Sequence, residues 1–330
     1  MKNREVIGRL RLCAKNLLDV ARELQAMDSV ESPRTEELVQ RMIASSEGGA
    51  RKFELPFALG QNDFGEDVVV ELGRLPHLLI GGASGCGKTM CLNSLLAGLI
   101  GTKTPEDVRF VIYDPKCVEF VWANGLPHLA TPVISDASRM VQALRWLVFE
   151  MERRLKMFAR AYCRNIAEFN AWSGIGERPA DMPKAVPYIV VEIDELVDLM
   201  LAHGKEVAQL IVRITSMGRA AGIHFVVATS RPDCMVASGA LEANISGRLA
   251  FQTLSSVDSR TVIGDVGAEL LNGHGDFMFR NGSAEVVRGQ GAYISAETMT
   301  KFVEDAKRKY GKPDYSMCTI TEDTAEKTCC

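Results

Sequence analysis

Between Leu78 and Leu92 the chain reads LLIGGASGCGKTMCL. Gly82, Gly85, Gly87, Lys88 and Thr89 stand at the spacing G-x-x-x-x-G-K-[S/T], in which glycines let successive backbone N–H groups turn inward around a phosphate chain. In that frame Gly82, Ala83, Ser84, Gly85, Cys86 and Gly87 supply the loop. Lys88 reaches the β- and γ-phosphates of a nucleoside triphosphate, and the Thr89 hydroxyl ligates Mg²⁺. Helical spacing begins near Lys88, so the anion would also meet the positive end of a helix. The alternative is a glycine-rich turn with no ligand; the apolar strand before it and the helix after it favour nucleotide. The side chains of Ser84 and Cys86 need not touch the nucleotide. Cys86 has no histidine near it in sequence and reads as a bystander thiol.

Two further polar pairs follow apolar runs. YIVVEIDEL ends in Asp194-Glu195. A carboxylate at the C-terminal end of a strand can hold Mg²⁺, and its neighbour can orient and deprotonate the attacking water. The alternative is that Asp194 caps the next helix. FVVATSRPD places Thr229, Ser230 and Arg231 at the end of a third strand. Ligands of open α/β sheets bind at the carboxyl ends of strands, so a polar side chain here can sense a γ-phosphate; a turn stopped by Pro232 is the competing reading. Glu192 interrupts its strand where an apolar residue is expected. It faces a partner or solvent, or it is a buried acid beside a basic group.

The elements that must position these groups alternate. Strands are expected over 68–72, 78–80, 108–114, 188–193 and 224–228, and helices over 88–99, 137–160 and 205–221. This pattern predicts an α/β fold with a mostly parallel sheet covered on both faces. Strands over 247–251, 276–279 and 284–293 and a helix over 296–310 follow. Ahead of this block a helix is expected over 3–27, a short one over 35–44 after Ser32-Pro33, and a linker in SSEGGARK. The expected division is a helical extension and linker over 1–50, the nucleotide-binding domain over 51–295, and a C-terminal helix with a polar, frayed tail over 296–330.

With 330 residues, 47% of them hydrophobic, the chain can bury a full core. A formal net charge of -4 argues against a globally basic nucleic-acid binder, so any DNA contact must come from a local patch or an assembled ring. The nine cysteines show no C-x-x-C pairs and no zinc spacing, and Cys329-Cys330 reads as a reduced or incidental pair. No apolar run reaches the length of a membrane span and no secretory leader opens the chain, so the expected compartment is a reducing cytoplasm.

Over about Phe53 to Ser295 the sequence resembles the motor domain of the FtsK/SpoIIIE family of DNA translocases. The resemblance rests on PHLLIGGASGCGKT, YDPKCVEF, GLPHLATPVISD, IVVEIDELVDLM, RAAGIHFVVATSRP, ANISGRLAFQ, DSRTVIG and VRGQGAYIS, in the family's order. It implies a RecA-like fold, ATP and Mg²⁺ as cofactors, hexameric rings around double-stranded DNA, and hydrolysis coupled to translocation. It makes Lys88 and Thr89 the Walker A pair, Asp194 the Mg²⁺ carboxylate and Glu195 the catalytic base. Asp114, Lys116 and Glu119 match the D-P-K-x-x-E element. Arg248 and Arg260 fall in the SGR and DSR elements and are candidates for the pore and for a trans-acting finger at a subunit junction, respectively.

Several positions depart from the family. Ser230 stands where glutamine is usual, and its shorter side chain is poorly suited to reach a γ-phosphate. Ser256 stands where lysine is frequent. The membrane-spanning region and long linker of the cellular translocases and their winged-helix module are not recognised, so the chain reads as a stripped motor. The alternatives to a DNA motor are a related conjugation or secretion motor and an ATP-binding scaffold with reduced turnover.

Overall fold

The computed structural model describes residues 32–47, 54–75, 77–172, 178–232 and 243–318. The helix expected over 3–27, the linker residues 48–52, Cys329-Cys330 and the rest of the tail from 319 onward lie outside them. The fold below belongs to the compact unit Pro33–Cys330.

In chain order the elements are α1 (Thr35–Glu47), β1 (Pro56–Asn62), β2 (Asp67–Glu71), β3 (Leu78–Gly81), α2 (Lys88–Thr102), β4 (Val108–Tyr113), α3 (Ala137–Arg160), α4 (Ile166–Asn170), β5 (Tyr188–Ile193), α5 (Leu196–Ala221), β6 (Ile223–Thr229), β7 (Gly247–Phe251), α6 (Ser256–Ile263), β8 (Asp276–Asn281), β9 (Val287–Gly291) and α7 (Ala296–Tyr310). The strands form one sheet in the order β2-β1-β9-β8-β7-β3-β6-β5-β4. From β7 to β4 the neighbours are parallel. The remaining strands extend the sheet antiparallel. The α/β core expected from the alternating pattern is present, and the sheet around it is wider and more mixed than that pattern predicts.

Burial explains the near-continuous apolar runs of the central strands. Leu78, Ile80, Phe110, Ile112, Val190 and Val226 form one face with Leu92, Leu95, Leu96 and Leu99 of α2. Leu79, Val111, Ile189, Val191, Phe225 and Val227 form the other with Leu144, Leu147 and Met151 of α3 and Ile211 and Ile214 of α5. A strand buried on both faces has no room for polar alternation. The buried Arg154 of α3 clamps this second layer. It pairs with Glu150 at 2.7 Å, and its Nη1 donates to the carbonyls of Pro187 at 2.8 Å and Ala221 at 3.0 Å, so its charge is paired, while Nη2 has no hydrogen-bond partner.

The differences from expectation have local causes. The helix expected over 35–44 runs to Glu47, into the first residues assigned to the linker. Its Leu38, Val39 and Met42 pack on Ala58 of β1, so tertiary contact rather than propensity carries it. The helix expected from Lys205 begins at Leu196 and is broken by non-helical backbone at His203. It stops at Gly222, whose φ of 75° is left-handed and whose added Cβ would lie 2.3 Å from Ile166 Cδ1. Strand β1 and helix α4 carried no signal strong enough to be expected at all.

The register sets the edge where chemistry can occur. Gly81 stands opposite both Thr229 and Ala250, and Ile193 stands opposite Tyr113 and Val227. Chain leaving β3, β6, β5 and β4 therefore emerges on one side of the sheet. The glycine-rich loop, Ser230, Asp194-Glu195 and Asp114 all follow strand ends on that side.

Candidate active site

The loop from Gly82 to Gly87 is built from backbone that only glycine adopts readily. Gly82, Gly85 and Gly87 have φ of 153°, 77° and 122°. A Cβ on Gly87 would lie 3.0 Å from the Gly275 Cα, and one on Gly82 would lie 2.8 Å from Cys86 Sγ. The loop is held from behind: Ala83 N–H donates to the Gln252 carbonyl at 2.7 Å, and Gly275 N–H donates to the Cys86 carbonyl at 3.0 Å. Gln252 and Gly275 are the first and last residues of the β7–β8 connection. Sequence reasoning missed this support, and the only trace of it is the glycine pair at 273 and 275.

Lys88 Nζ donates to the carbonyls of Gly82 and Ala83, both at 2.8 Å, which folds the ammonium over the loop. Gly87 caps α2 with no side-chain hydrogen bond to the helix. The first-turn N–H groups thus have no capping side chain, and this donor set fits an anion. Thr89 lies in the first turn of α2. Cys86 is buried, and burial pushes its thiol above the ordinary range, in keeping with a bystander.

Asp194 follows β5 in the same alternation as Val190 and Glu192, so it stands on the α2 side of the sheet, the side of Thr89. It is 7% exposed. Burial first, then the charge of Asp114, raises its pKa to about 6, with Lys116 acting in the opposite sense. A nearby cation would relieve that cost, so Thr89 and Asp194 fit a divalent metal of the Mg²⁺ type bound with nucleotide. The N-cap of α5 is Glu195 and not Asp194: Val197 N–H donates to Glu195 Oε1 at 3.4 Å. The capping role considered for Asp194 therefore falls on its neighbour.

Glu195 is buried and held by Ser230, whose hydroxyl donates to Oε2 at 2.6 Å and whose N–H donates to Oε2 at 3.1 Å and Oε1 at 3.2 Å. The D-P-K-x-x-E element has a structural meaning that the sequence did not disclose. The buried Asp114 carboxylate accepts backbone N–H bonds from Lys116, Val118, Glu119 and Phe120 at 3.0–3.1 Å, shaping the turn beside Asp194.

Glu192 faces neither solvent nor a partner. It is fully buried, and neither of its carboxyl oxygens has a hydrogen-bond partner. Burial, Asp194 and Asp114 all push its pKa well above the ordinary range, so it is held neutral. The charges acting on it are acidic, which corrects the expectation of a basic neighbour.

The structure does not bring the arginines into this cluster. Arg248 lies near the start of β7, opposite Leu79, and its guanidinium donates to the carbonyls of Ile245 at 2.9 Å and Thr261 at 3.4 Å. Its charge is tied into its own fold. Arg260 is exposed in the last turn of α6, which follows β7. Near it the surface carries Leu254, Val257 and Leu270, exposed by 85%, 66% and 76%. None of the helices among the described residues is long and apolar enough to cross a membrane.

The model of the FtsK/SpoIIIE family matches residues 38–234, more than half of the chain and all of the site from Gly82 to Ser230. This chain belongs to the FtsK/SpoIIIE family. It is 40% identical over 294 residues to the DNA translocase FtsK of Haemophilus influenzae, covering 83% of this chain and 55% of that protein. It is also 40% identical over 287 residues to the DNA translocase FtsK of Borreliella burgdorferi, covering 87% of this chain and 36% of that protein. The chain thus spans from about a third to just over half the length of these two FtsK relatives. Arg248 and Arg260 fall outside the residues matched by the FtsK/SpoIIIE model.

Solved structures share the fold. The cytoplasmic domain of the type VII secretion ATPase EccC of Thermomonospora curvata superposes with a TM-score of 0.69 at 24% identity, covering 82% of this chain and 33% of EccC. The pCW3 conjugation coupling protein TcpA, solved with ATPγS, superposes with a TM-score of 0.65 at 24% identity, covering 77% of this chain and 71% of TcpA.

Proposed function

We propose that this chain is the ATP-hydrolysing motor of a double-stranded DNA translocase that works as a ring, on the cytoplasmic side of the cell. The observation that carries the reading is the convergence of the Lys88–Thr89 loop, Asp194 and Glu195 on one edge of the parallel strands. That edge belongs to a chain of the FtsK/SpoIIIE family, whose relatives are DNA translocases by name.

The chemistry assigns one task to each group. The backbone of Gly82 to Gly87 cradles the phosphates, and Lys88 leaves its carbonyl partners for the more strongly accepting phosphate oxygens. Thr89 and Asp194 would hold Mg²⁺, which would supply charge neutralisation on the phosphates. Glu195 takes the proton of the attacking water and orients it in line. Motor function resides in 51–295; α1 packs on α2 and β1, and α7 packs on α2, as outer layers. Steady-state ATP hydrolysis should rise severalfold on addition of linear duplex DNA. A rate indifferent to DNA at every salt concentration tested would favour a motor for another cargo.

Assembly follows from the position of the site. A nucleotide on the edge of an open sheet is half exposed, and a neighbouring subunit can close it and add positive charge to the transition state. We assign this role in trans to Arg260, which is exposed together with Leu254, Val257 and Leu270. The committed guanidinium of Arg248 makes it the weaker candidate for DNA contact. Arg260→Ala subunits with an intact loop, mixed with Lys88→Ala subunits with intact arginines, should regain ATPase that neither shows alone. A co-assembled but inactive mixture, or full activity of Arg260→Ala alone, would remove the role.

A further inference from the structure

Ser230 stands where the family usually has glutamine, and its side chain is occupied. The hydroxyl donates to Glu195 Oε2 at 2.6 Å, and the backbone N–H is shared between Oε2 at 3.1 Å and Oε1 at 3.2 Å. A serine hydroxyl has one proton to give, and here it lies on a carboxylate in a short, charge-assisted bond. It is therefore not available to a γ-phosphate.

The grip on Glu195 is asymmetric. Oε2 carries the hydroxyl and one arm of the N–H. Oε1 carries only the other arm at 3.2 Å and the Val197 N–H at 3.4 Å. A carboxylate offers about four lone-pair sites, so Oε1 keeps capacity for one more proton donor, such as an attacking water. Glutamate has three side-chain torsions, and the contact of Glu195 with its own helix is the longest of the set. Without the hydroxyl, the rotamer would be fixed only by a shared amide and that long cap.

We propose that Ser230 is a positioning residue for Glu195: its hydroxyl fixes the carboxylate with Oε1 turned to the water, and it does not sense the γ-phosphate. The inference rests on the reading of Glu195 as the general base. A base held off its productive geometry by an ångström loses much of its effect, and the Ser230 N–H survives substitution, so the expected loss is partial, about tenfold.

The test measures kcat and the affinity for ATPγS for the parental protein, Ser230→Ala, Ser230→Thr, Ser230→Gln, Glu195→Gln and the double variant Ser230→Ala/Glu195→Gln. Ser230→Ala should lower kcat about tenfold with ATPγS affinity unchanged. Ser230→Thr, which keeps the hydroxyl, should restore a rate close to the parental one. Ser230→Gln should also fall, whereas a sensor would gain from the family's residue. The double variant should match Glu195→Gln alone, because the hydroxyl acts only through the carboxylate. Three results would overturn the proposal: a parental or higher rate in Ser230→Ala, a gain in Ser230→Gln, or a double variant slower than Glu195→Gln by the full factor of the serine change. If Glu195→Gln itself keeps the parental rate, the underlying assignment of the base fails, which is a different outcome.

Discussion

Glu195→Gln should bind ATP as the parental protein does and turn it over roughly 10²–10⁴-fold more slowly, the usual range for loss of a general base. The substitution keeps the size of the side chain and one oxygen that can accept from Ser230 Oγ, so the clasp survives, while the NH2 that replaces the other oxygen gives up the long cap on Val197 N–H. What is lost is the capacity to take a proton. Binding belongs to a separate set of groups, the loop and Lys88, which Glu195 does not contact. Pre-steady-state hydrolysis and ATPγS titration on the same preparation separate the two. Parental turnover would mean that another group accepts the proton, and weakened binding would mean that the substitution disturbed the sheet edge.

The second large effect is on binding. Lys88→Ala removes the ammonium that folds over the loop. Hydrogen bonds to charged groups contribute about 1.5–3 kcal/mol each, so losing the phosphate contacts of Lys88 should weaken Mg-ATP binding about a hundredfold or more. The backbone cradle and the N-terminus of α2 remain, so the fold and a residual affinity for phosphate are expected to persist. Calorimetric titration checks this. Unchanged affinity for ATP would remove the loop from the nucleotide site.

What could be read from sequence was what local chemistry writes into short segments. The glycine spacing of 82–89 and the acidic pair after an apolar strand announce themselves because each serves its purpose within a few residues. Burial on both faces writes itself as the apolar runs of β3 to β6. Long-range relations left little trace beyond the glycines at 273 and 275. The support of Ala83 by Gln252 and of Cys86 by Gly275 joins segments far apart in the chain. The capture of Glu195 by Ser230 spans 35 residues. The turn built on Asp114 uses backbone donors, which any sequence could offer. Glu192 looked anomalous, and only the packed core shows that it is a fully buried acid whose pKa is raised by burial and then by the charges of Asp194 and Asp114. Strand β1 was missed because pairing partners, not periodicity, decide where such a strand sits, whereas β8 and β9 lie where strands were expected.

The central claim is that ATP hydrolysis at this edge drives movement along duplex DNA. It is tested most directly by displacement of a labelled third strand from a linear duplex. The parental protein should release the third strand with Mg-ATP, and should leave it bound with a non-hydrolysable analogue or when carrying Glu195→Gln. Hydrolysis that is stimulated by the duplex while the third strand stays in place would contradict the claim.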